Sequence, residues 1–186
     1  MITKAEIEKY VGNPVNNELH YIQAFTHKSS IEESNQSNER LEFIGDSVLS
    51  LVITSYLYEK YPEENEGFLT RIRTKMVSGK TLSKIALHLN FDKHIVMNEK
   101  GMRNEWFKNP RILEDSLEAF IGAIYIDVGL EITSKFIRQK IINFLSNDTL
   151  LEDNNYKDIL MRYVQGRKLN LPEYKLHSEN TDMNRM

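Results

Sequence analysis

Apolar residues recur at every third or fourth position through most of this 186-residue chain, and this helical period constrains the fold more than any other feature. Alternation of apolar and polar residues, which is typical of strands, is nearly absent before residue 170. Residues 93–109 show no clear period and are predicted to form a loop, and breaks are predicted at residues 12–14, 61–62, 109–110 and 127–129. The pattern predicts an all-α domain with helices at about 3–11, 18–26, 39–61, 66–76, 79–90, 111–128, 130–146 and 156–166.

Length and composition favour one folded domain with about 30 to 40 residues left over. Hydrophobic residues make up 40% and charged residues 27%, which is the balance of a globular protein. The absence of cysteine excludes disulfides and thiolate metal sites. The N-terminal segment is charged and no apolar run approaches about 18 residues, so we expect a cytoplasmic protein with no membrane partner. We also expect no organic cofactor.

Charge is unevenly spread along the chain, although the formal net charge is only −3. Residues 68–84 contain no acid and five basic residues, which are Arg71, Arg73, Lys75, Lys80 and Lys84. This segregation predicts a local positive field that the net charge conceals.

The predicted helix 39–61 carries acids away from its apolar stripe. At about 100° per residue, Glu39, Glu42 and Asp46 share one face. The opposite face carries the predicted core stripe, which consists of Leu41, Ile44, Val48, Leu51 and Val52. Ser47 and Ser50 beside the acids are small enough to let another helix or a ligand approach.

The predicted helix 111–128 repeats this arrangement, with Asp115 and Glu118 away from a stripe of larger apolar residues. That stripe consists of Leu113, Leu117, Phe120, Ile121 and Ile124. Ala119 and Gly122 lie on the acidic face and would again permit a close approach.

Carboxylates that crowd together have raised pKa values unless a cation compensates their charge. If the two acidic faces meet, their hard oxygen ligands favour Mg²⁺ or Mn²⁺. A single Glu-x-x-x-Asp pair, taken by itself, is more often an ordinary solvated helix face than a metal site.

Four segments resemble motifs of the ribonuclease III family. Residues 38–49, NERLEFIGDSVL, closely resemble the family signature, whose usual form is NERLEFLGDAVL. Residues 114–125, EDSLEAFIGAIY, resemble the second acidic motif of the family, and residues 24–29 (AFTHKS) and 79–82 (GKTL) resemble two shorter elements. The resemblance covers about residues 5–145.

This resemblance implies an all-helical endonuclease domain, a helical bundle that works as a homodimer. By position, the metal-binding quartet of the family matches Glu42, Asp46, Asp115 and Glu118. Glu39 matches an additional acid of the signature and is expected to be a secondary member of the catalytic site. Phe43 lies beside the acids on the helical wheel and matches a family residue that packs into the neighbouring subunit.

The function implied is Mg²⁺-dependent hydrolysis of double-stranded RNA, with Mn²⁺ as a possible substitute, leaving 5′-phosphates and short 3′ overhangs. Bound metal ions can neutralise a phosphodiester, activate a nucleophile and stabilise the leaving oxygen. RNA phosphates are predicted to contact Arg71, Arg73, Lys75 and Lys80. The alternative is that these four residues belong to a solvated helix face. His27 is expected to make local hydrogen bonds and Trp106 to be a packing residue.

Two other functions remain open at this point. One is a catalytically inert ribonuclease III-like protein that binds RNA or associates with the ribosome. The other is a small-molecule metal hydrolase with similarly placed acids. The presence of all four carboxylates favours the endonuclease.

The C-terminal segment resembles the beginning of a double-stranded-RNA-binding domain. Residues 157–175, KDILMRYVQGRKLNLPEYK, match its opening helix and first strand, and the chain ends at Met186, about halfway through such a domain. We therefore predict an endonuclease domain at residues 1–147, a polar linker at 148–155 and an incomplete α-β RNA-binding domain at 156–186.

Overall fold

The computed structural model describes residues 2–31, 36–146, 160–161, 163–164, 166–167 and 169–173. The chain divides into two compact units, Met1–Leu151 and Glu152–Met186. The described part of the larger unit is all-α, as the apolar period predicts. Its helices are α1 (Lys4–Val11), α2 (Glu18–Ala24), α3 (Glu39–Lys60), α4 (Glu66–Met76), α5 (Gly79–His88), α6 (Glu99–Arg103), α7 (Pro110–Ile137) and α8 (Asn143–Ser146).

Polar caps determine where several of these helices begin. The side chains of Asn17 and Ser78 accept hydrogen bonds from the first free backbone N–H groups of α2 and α5. Asn109 caps α7 in the same way and is followed by Pro110 at the first helical position, where a missing N–H costs nothing. The predicted break at residues 109–110 is therefore the start of the helix that carries the second acidic motif.

Helix α7 lies at the centre of the bundle and packs against α1, α2, α3 and α5. On the side of α7 away from the acids, the buried ring of Phe120 contacts a set of other aromatic rings at centroid distances of 5.0–6.1 Å. They belong to Tyr10, Tyr21, Phe25, Phe91 and Phe136. This aromatic cluster fixes the position of α7 on the side opposite to the acids.

Helices α3 and α7 approach each other closely through two glycines. A Cβ atom at Gly45 would collide with the backbone carbonyl of Glu118, and one at Gly122 would collide with the backbone carbonyl of Leu41. Only glycine permits this backbone contact. The predicted small residue Gly122 thus has the expected role, whereas Ser47 is exposed and Gly45 takes its place.

The predicted position of the acids relative to the core is wrong in one respect. The buried face of α3 includes Gly45, Leu49 and Ile53, which lie on the acidic side of the predicted stripe, whereas Leu51 is 54% exposed. Because α7 covers this side of α3, the acids lie at the margin of the buried face and not opposite to it. By length and composition α3 is apolar enough to cross a membrane, and 39% of its most apolar window is buried in this fold.

Residues 93–109 are not simply a loop, as the missing period predicted. They contain α6 and a single 3₁₀ turn at Trp106–Lys108, both too short to show an apolar period. A parallel bridge joins Thr26 to Val96 and fixes the segment to the end of α2. Trp106 packs against the core, as expected.

The predicted break at residues 127–129 is confirmed. Gly129, with φ 86° and ψ 176°, is not helical and separates two helical segments within α7. A π-helical turn at Arg138–Ile142 then interrupts the predicted helix 130–146 before α8. A π turn adds one residue to a single turn of an α-helix, and an interruption this short is not resolved by an apolar period that is read over about 11 to 18 residues.

In the smaller unit, residues 160–161, 163–164 and 166 are helical, within the helix predicted at 156–166. The N–H of Leu169 donates to the carbonyl of Val164 at 2.8 Å. Residues 169–173 form no strand, although the opening strand was predicted there, and no neighbouring strand is present among the described residues to pair with them. The predicted linker and residues 174–186 lie outside the described residues, and the assignment to an RNA-binding domain stays a prediction.

Candidate metal centre

An acidic cleft of about 700 Å³ lies where the N-terminal parts of α3 and α7 meet. Five carboxylates and one cation are among its described lining residues. The complete lining is Glu42, Asp46, Val77, Asn109, Pro110, Arg111, Glu114, Asp115 and Glu118. All four members of the predicted quartet therefore face the same cleft.

Three of these carboxylates are close enough to share one cation. Glu42, Asp115 and Glu118 each offer an oxygen, and these oxygens lie within 4.8 Å of one another. Glu42 comes from the first turn of α3, and the other two are one turn apart on α7. The backbone contact at Gly45 brings α3 close enough to α7 for this arrangement.

Glu118 is the most buried member of the cluster, with 9% of its surface exposed. Burial, followed by the negative charge of Asp46 and Glu114, raises the pKa of Glu118 to about 8. Burial also raises the pKa of Glu42 and of Asp115. Glu118 therefore holds a proton at neutral pH that a bound cation would displace, because the cation supplies positive charge that stabilises the ionised carboxylate.

The oxygen-only donor set and its partial burial fit a hard divalent cation. Asp46 lines the cleft but is exposed and lies outside the group of three oxygens within 4.8 Å. The assignment of the quartet as metal ligands stays a prediction.

Glu39 is held apart from the cluster by its own partners. Its carboxylate accepts hydrogen bonds from Lys28 Nζ at 2.8 Å and from Ser37 Oγ at 3.3 Å. The bond from Lys28 lowers the pKa of Glu39, which is the opposite of the shift in the cluster. Glu39 belongs to the surroundings of the cleft and not to its lining.

Glu114 is a cleft residue that the sequence analysis did not single out. It is half-buried, and burial together with the charge of Asp115 raises its pKa. Its carboxylate lies against Gly79 at the start of α5, where any Cβ atom would collide with it. Glu114 stands immediately before Asp115 in the second acidic motif, but the helical wheel gives no indication that α5 begins beside it.

The four basic residues predicted to bind RNA do not lie on one helix face. Arg71 and Lys75 share a face of α4, whereas Arg73 lies on the other side and its guanidinium approaches Thr54 of α3 at 3.5 Å. Lys80 is exposed on the first turn of α5. Their contacts with RNA stay a prediction.

His27 makes local hydrogen bonds, as expected. Its Nδ1 accepts from the backbone N–H of Ser29 at 3.2 Å and lies 2.9 Å from the hydroxyl of the same residue. Burial lowers the pKa of His27.

Phe43 is 78% exposed and lies at the edge of a second hollow of about 660 Å³. The other residues lining this hollow are His20, Gln23, Glu39, Arg40, Leu41, Ile44 and Ile126. The predicted exposure of Phe43 on the helical wheel is thus present in the structure.

A family model described as ribonuclease-III-like matches residues 16–145, which include both helices of the cleft. The chain belongs to the ribonuclease III family. Relatives support this membership over nearly the whole chain. A putative protein, A464R, of Paramecium bursaria Chlorella virus 1 is 41% identical over 174 residues, covering 94% of this chain and 63% of the relative. Ribonuclease 3 of Chlorobium luteolum is 36% identical over 176 residues, covering 91% and 63%.

Solved structures of the ribonuclease III family have the same fold. The nuclease domain of ribonuclease III from Campylobacter jejuni is 34% identical and superposes with a TM-score of 0.73, covering 80% of this chain and 99% of that domain. A second structure of that domain, described for flexibility in a region involved in dimer formation, gives a TM-score of 0.71 at 35% identity, covering 76% and 97%. The chain spans about 63% of the length of the first two relatives.

Proposed function

We propose that this protein is a metal-dependent endonuclease that cleaves double-stranded RNA, leaving 5′-phosphates and short 3′ overhangs. The observation that carries the proposal is the group of three carboxylates within 4.8 Å, at the crossing of α3 and α7, in a chain of the ribonuclease III family. Relatives at 36% identity carry the name ribonuclease 3.

The proposed cofactor is Mg²⁺, with Mn²⁺ as a substitute, because the donors are all carboxylate oxygens. Glu42, Asp115 and Glu118 would hold the ion, with Asp46 at the same cleft. When bound, the cation supplies charge neutralisation at the phosphodiester and lowers the barrier to attack by water. The carboxylates would fix the position of the ion, and Glu118 would have to lose its proton to serve as a ligand.

We propose a homodimer in which Phe43 of each subunit enters the hollow beside Phe43 on the other. A two-fold interface brings the same patch of both subunits together, so a projecting residue next to a hollow complements itself. Two further apolar side chains on the same side of α3 are exposed, Leu51 at 54% and Tyr58 at 73%. The C. jejuni nuclease domain has a region involved in dimer formation.

Recognition of the RNA duplex would depend on its shape and its phosphates. The wide minor groove of A-form RNA exposes 2′-hydroxyls, while its deep major groove prevents side chains from reading the bases. Arg71 and Lys75 on one face of α4 and Lys80 on α5 are the proposed phosphate contacts. Arg73 contributes less, because it faces α3.

Incubation of the purified chain with a duplex RNA, in Mg²⁺ and in EDTA, tests this function. We expect cleavage in Mg²⁺ only, with 5′-phosphate ends and a small offset between the cuts on the two strands. Binding of the duplex RNA without cleavage in Mg²⁺ would support the catalytically inert alternative. A matched duplex DNA serves as the control for substrate class, because it lacks the 2′-hydroxyl.

A further inference from the structure

Arg111 is the one cation among the described residues that line the acidic cleft. It lies in the first turn of α7, three residues before Glu114 and four before Asp115. Side chains at these spacings share one face of a helix. Because its side chain is exposed, Arg111 lies on the solvent side of the cleft.

The guanidinium of Arg111 forms no ion pair with the acids that line the cleft, among the described residues. Its charge acts against the upward pKa shifts of Asp115, Glu42 and Glu114, so it lies within electrostatic range of all three. Within the described part of the chain, however, it makes no ion pair shorter than 4.0 Å, and its side chain is exposed. Five donor groups thus remain available to a ligand.

Helix stability does not explain an arginine at this position. The amino end of a helix carries partial positive charge, so a cation in the first turn is unfavourable by a few tenths of a kcal/mol. The cap of α7 uses only the backbone of Arg111, whose N–H donates to Asn109 Oδ1 at 2.9 Å. Any residue except proline would provide that N–H.

We propose that Arg111 binds a phosphate of the RNA strand at the entrance of the metal cleft. This inference rests on the proposed function. The planar guanidinium presents donors in a fork that matches two oxygens of one phosphate. A phosphodiester that reaches the cleft meets five carboxylates, and Arg111 supplies a cation of this chain to offset their repulsion.

Arg111→Gln and Arg111→Lys test the proposal, with Arg103→Gln as the matched control. Arg103 is an exposed arginine outside the cleft lining that pairs with Glu99 at 3.1 Å. Binding of a short duplex RNA is measured as a function of salt in a Glu118→Gln background, and cleavage is measured in the otherwise unchanged protein. Calorimetry with Mn²⁺ alone reports the metal site separately.

For Arg111→Gln we expect RNA affinity and kcat/KM to fall about 10- to 100-fold, the loss associated with one charge-assisted contact. The slope of log affinity against log salt concentration should fall by about one, as expected for the loss of one phosphate contact. Mn²⁺ affinity should be unchanged or higher, because a neighbouring cation has been removed. Arg111→Lys should recover part of the loss, since it keeps the charge but not the fork.

A different set of results would overturn the proposal. If Arg111 only balances the charge of the acids, Arg111→Gln will bind and cleave RNA like the control at the same metal occupancy. If Arg111→Gln melts early, Arg111→Lys takes its place, and wild-type RNA affinity together with wild-type kcat/KM in that variant contradicts a bidentate contact. A failure of the unchanged protein to cleave duplex RNA would instead refute the proposed function.

Discussion

Glu118 determines the chemistry of the cleft at the scale of single residues. It is the most buried acid of the cluster, and its pKa of about 8 reflects burial first and the charges of Asp46 and Glu114 second. A carboxylate in this state is protonated at neutral pH and becomes a ligand only when a cation displaces the proton. Burial of Glu118 therefore provides a metal ligand but lowers the stability of the metal-free protein at the pH where Glu118 must ionise.

We predict that the metal-free protein becomes less stable between pH 7.0 and 8.5. Unfolded Glu118 ionises near its ordinary value, whereas folded Glu118 keeps its proton up to about pH 8. The native state therefore binds more protons, and the free energy of unfolding falls as pH rises, by about 1 kcal/mol over this window. Burial lowers the pKa of the half-buried His27 and His94, and a lowered histidine pKa changes stability with pH in the opposite sense.

Thermal melting in EDTA measures this loss. Glu118→Gln should remove most of the pH dependence, and excess Mg²⁺ at pH 8.5 should restore the stability of the unchanged protein. Glu131→Gln, an exposed acid on α7, is the control. A melting temperature in EDTA that is the same at both pH values would contradict the protonated state of Glu118.

At the scale of helices, the approach of α3 to α7 positions the carboxylates. The contact depends on Gly45 against the carbonyl of Glu118 and on Gly122 against the carbonyl of Leu41. Glu42 lies one turn from these contacts, so a shift of α3 would separate it from Asp115 and Glu118. The aromatic cluster around Phe120 fixes α7 from the other side.

Gly45→Ala and Gly122→Ala should each destabilise the protein by about 1–3 kcal/mol or more, because the added methyl overlaps a backbone atom of the other helix. The sign of the change in stability is informative, since alanine in place of glycine stabilises a helix without such a contact by about 1 kcal/mol. Urea unfolding provides the measurement, and Ser47→Ala on the exposed side of α3 should change stability by less than about 0.5 kcal/mol. Stabilisation by either glycine substitution would rule out the close contact.

The extent of the helices could be predicted from the sequence because the apolar period, Asn109-Pro110 and the serine and asparagine caps are local signals. The rotation of α3 could not, because its buried side depends on which neighbour covers Leu49 and Ile53. For the same reason Gly45 was missed as a contact and Glu114 as a cleft residue. The motifs identified Glu42, Asp115 and Glu118, but only the packing of α3 on α7 shows that their oxygens meet.

At the scale of the whole molecule, the exposed side of α3 determines how the chain would assemble. Phe43, Leu51 and Tyr58 are all exposed on one side of this helix, and Phe43 borders a hollow lined partly by Ile44 and Ile126. A row of large apolar side chains in water favours a partner that covers it. A second copy of the chain fits, because the projection and the hollow are adjacent.

Phe43→Asp should convert the proposed dimer into a monomer, because it removes the large apolar side chain that would contact Leu41, Ile44 and Ile126 and puts a negative charge in its place. Sedimentation analysis should give twice the chain mass of 21.8 kDa for the unchanged protein and the chain mass itself for the variant. Leu87→Asp on α5, another exposed apolar position, is the control and should stay dimeric. A monomeric unchanged protein, or a dimeric Phe43→Asp, would contradict this interface.

Single-turnover cleavage of a duplex RNA by Glu118→Gln, in saturating Mg²⁺, tests the central claim most directly. The substitution removes one charge at nearly constant volume, so we expect cleavage to be lost while the fold, the melting behaviour in EDTA at pH 7.0 and the dimer are retained. Glu131→Gln on the same helix should cleave at the rate of the unchanged protein. Cleavage by Glu118→Gln within about threefold of that rate, a difference of less than about 1 kcal/mol in the barrier, would contradict the assignment of the α3–α7 carboxylates as the catalytic metal site.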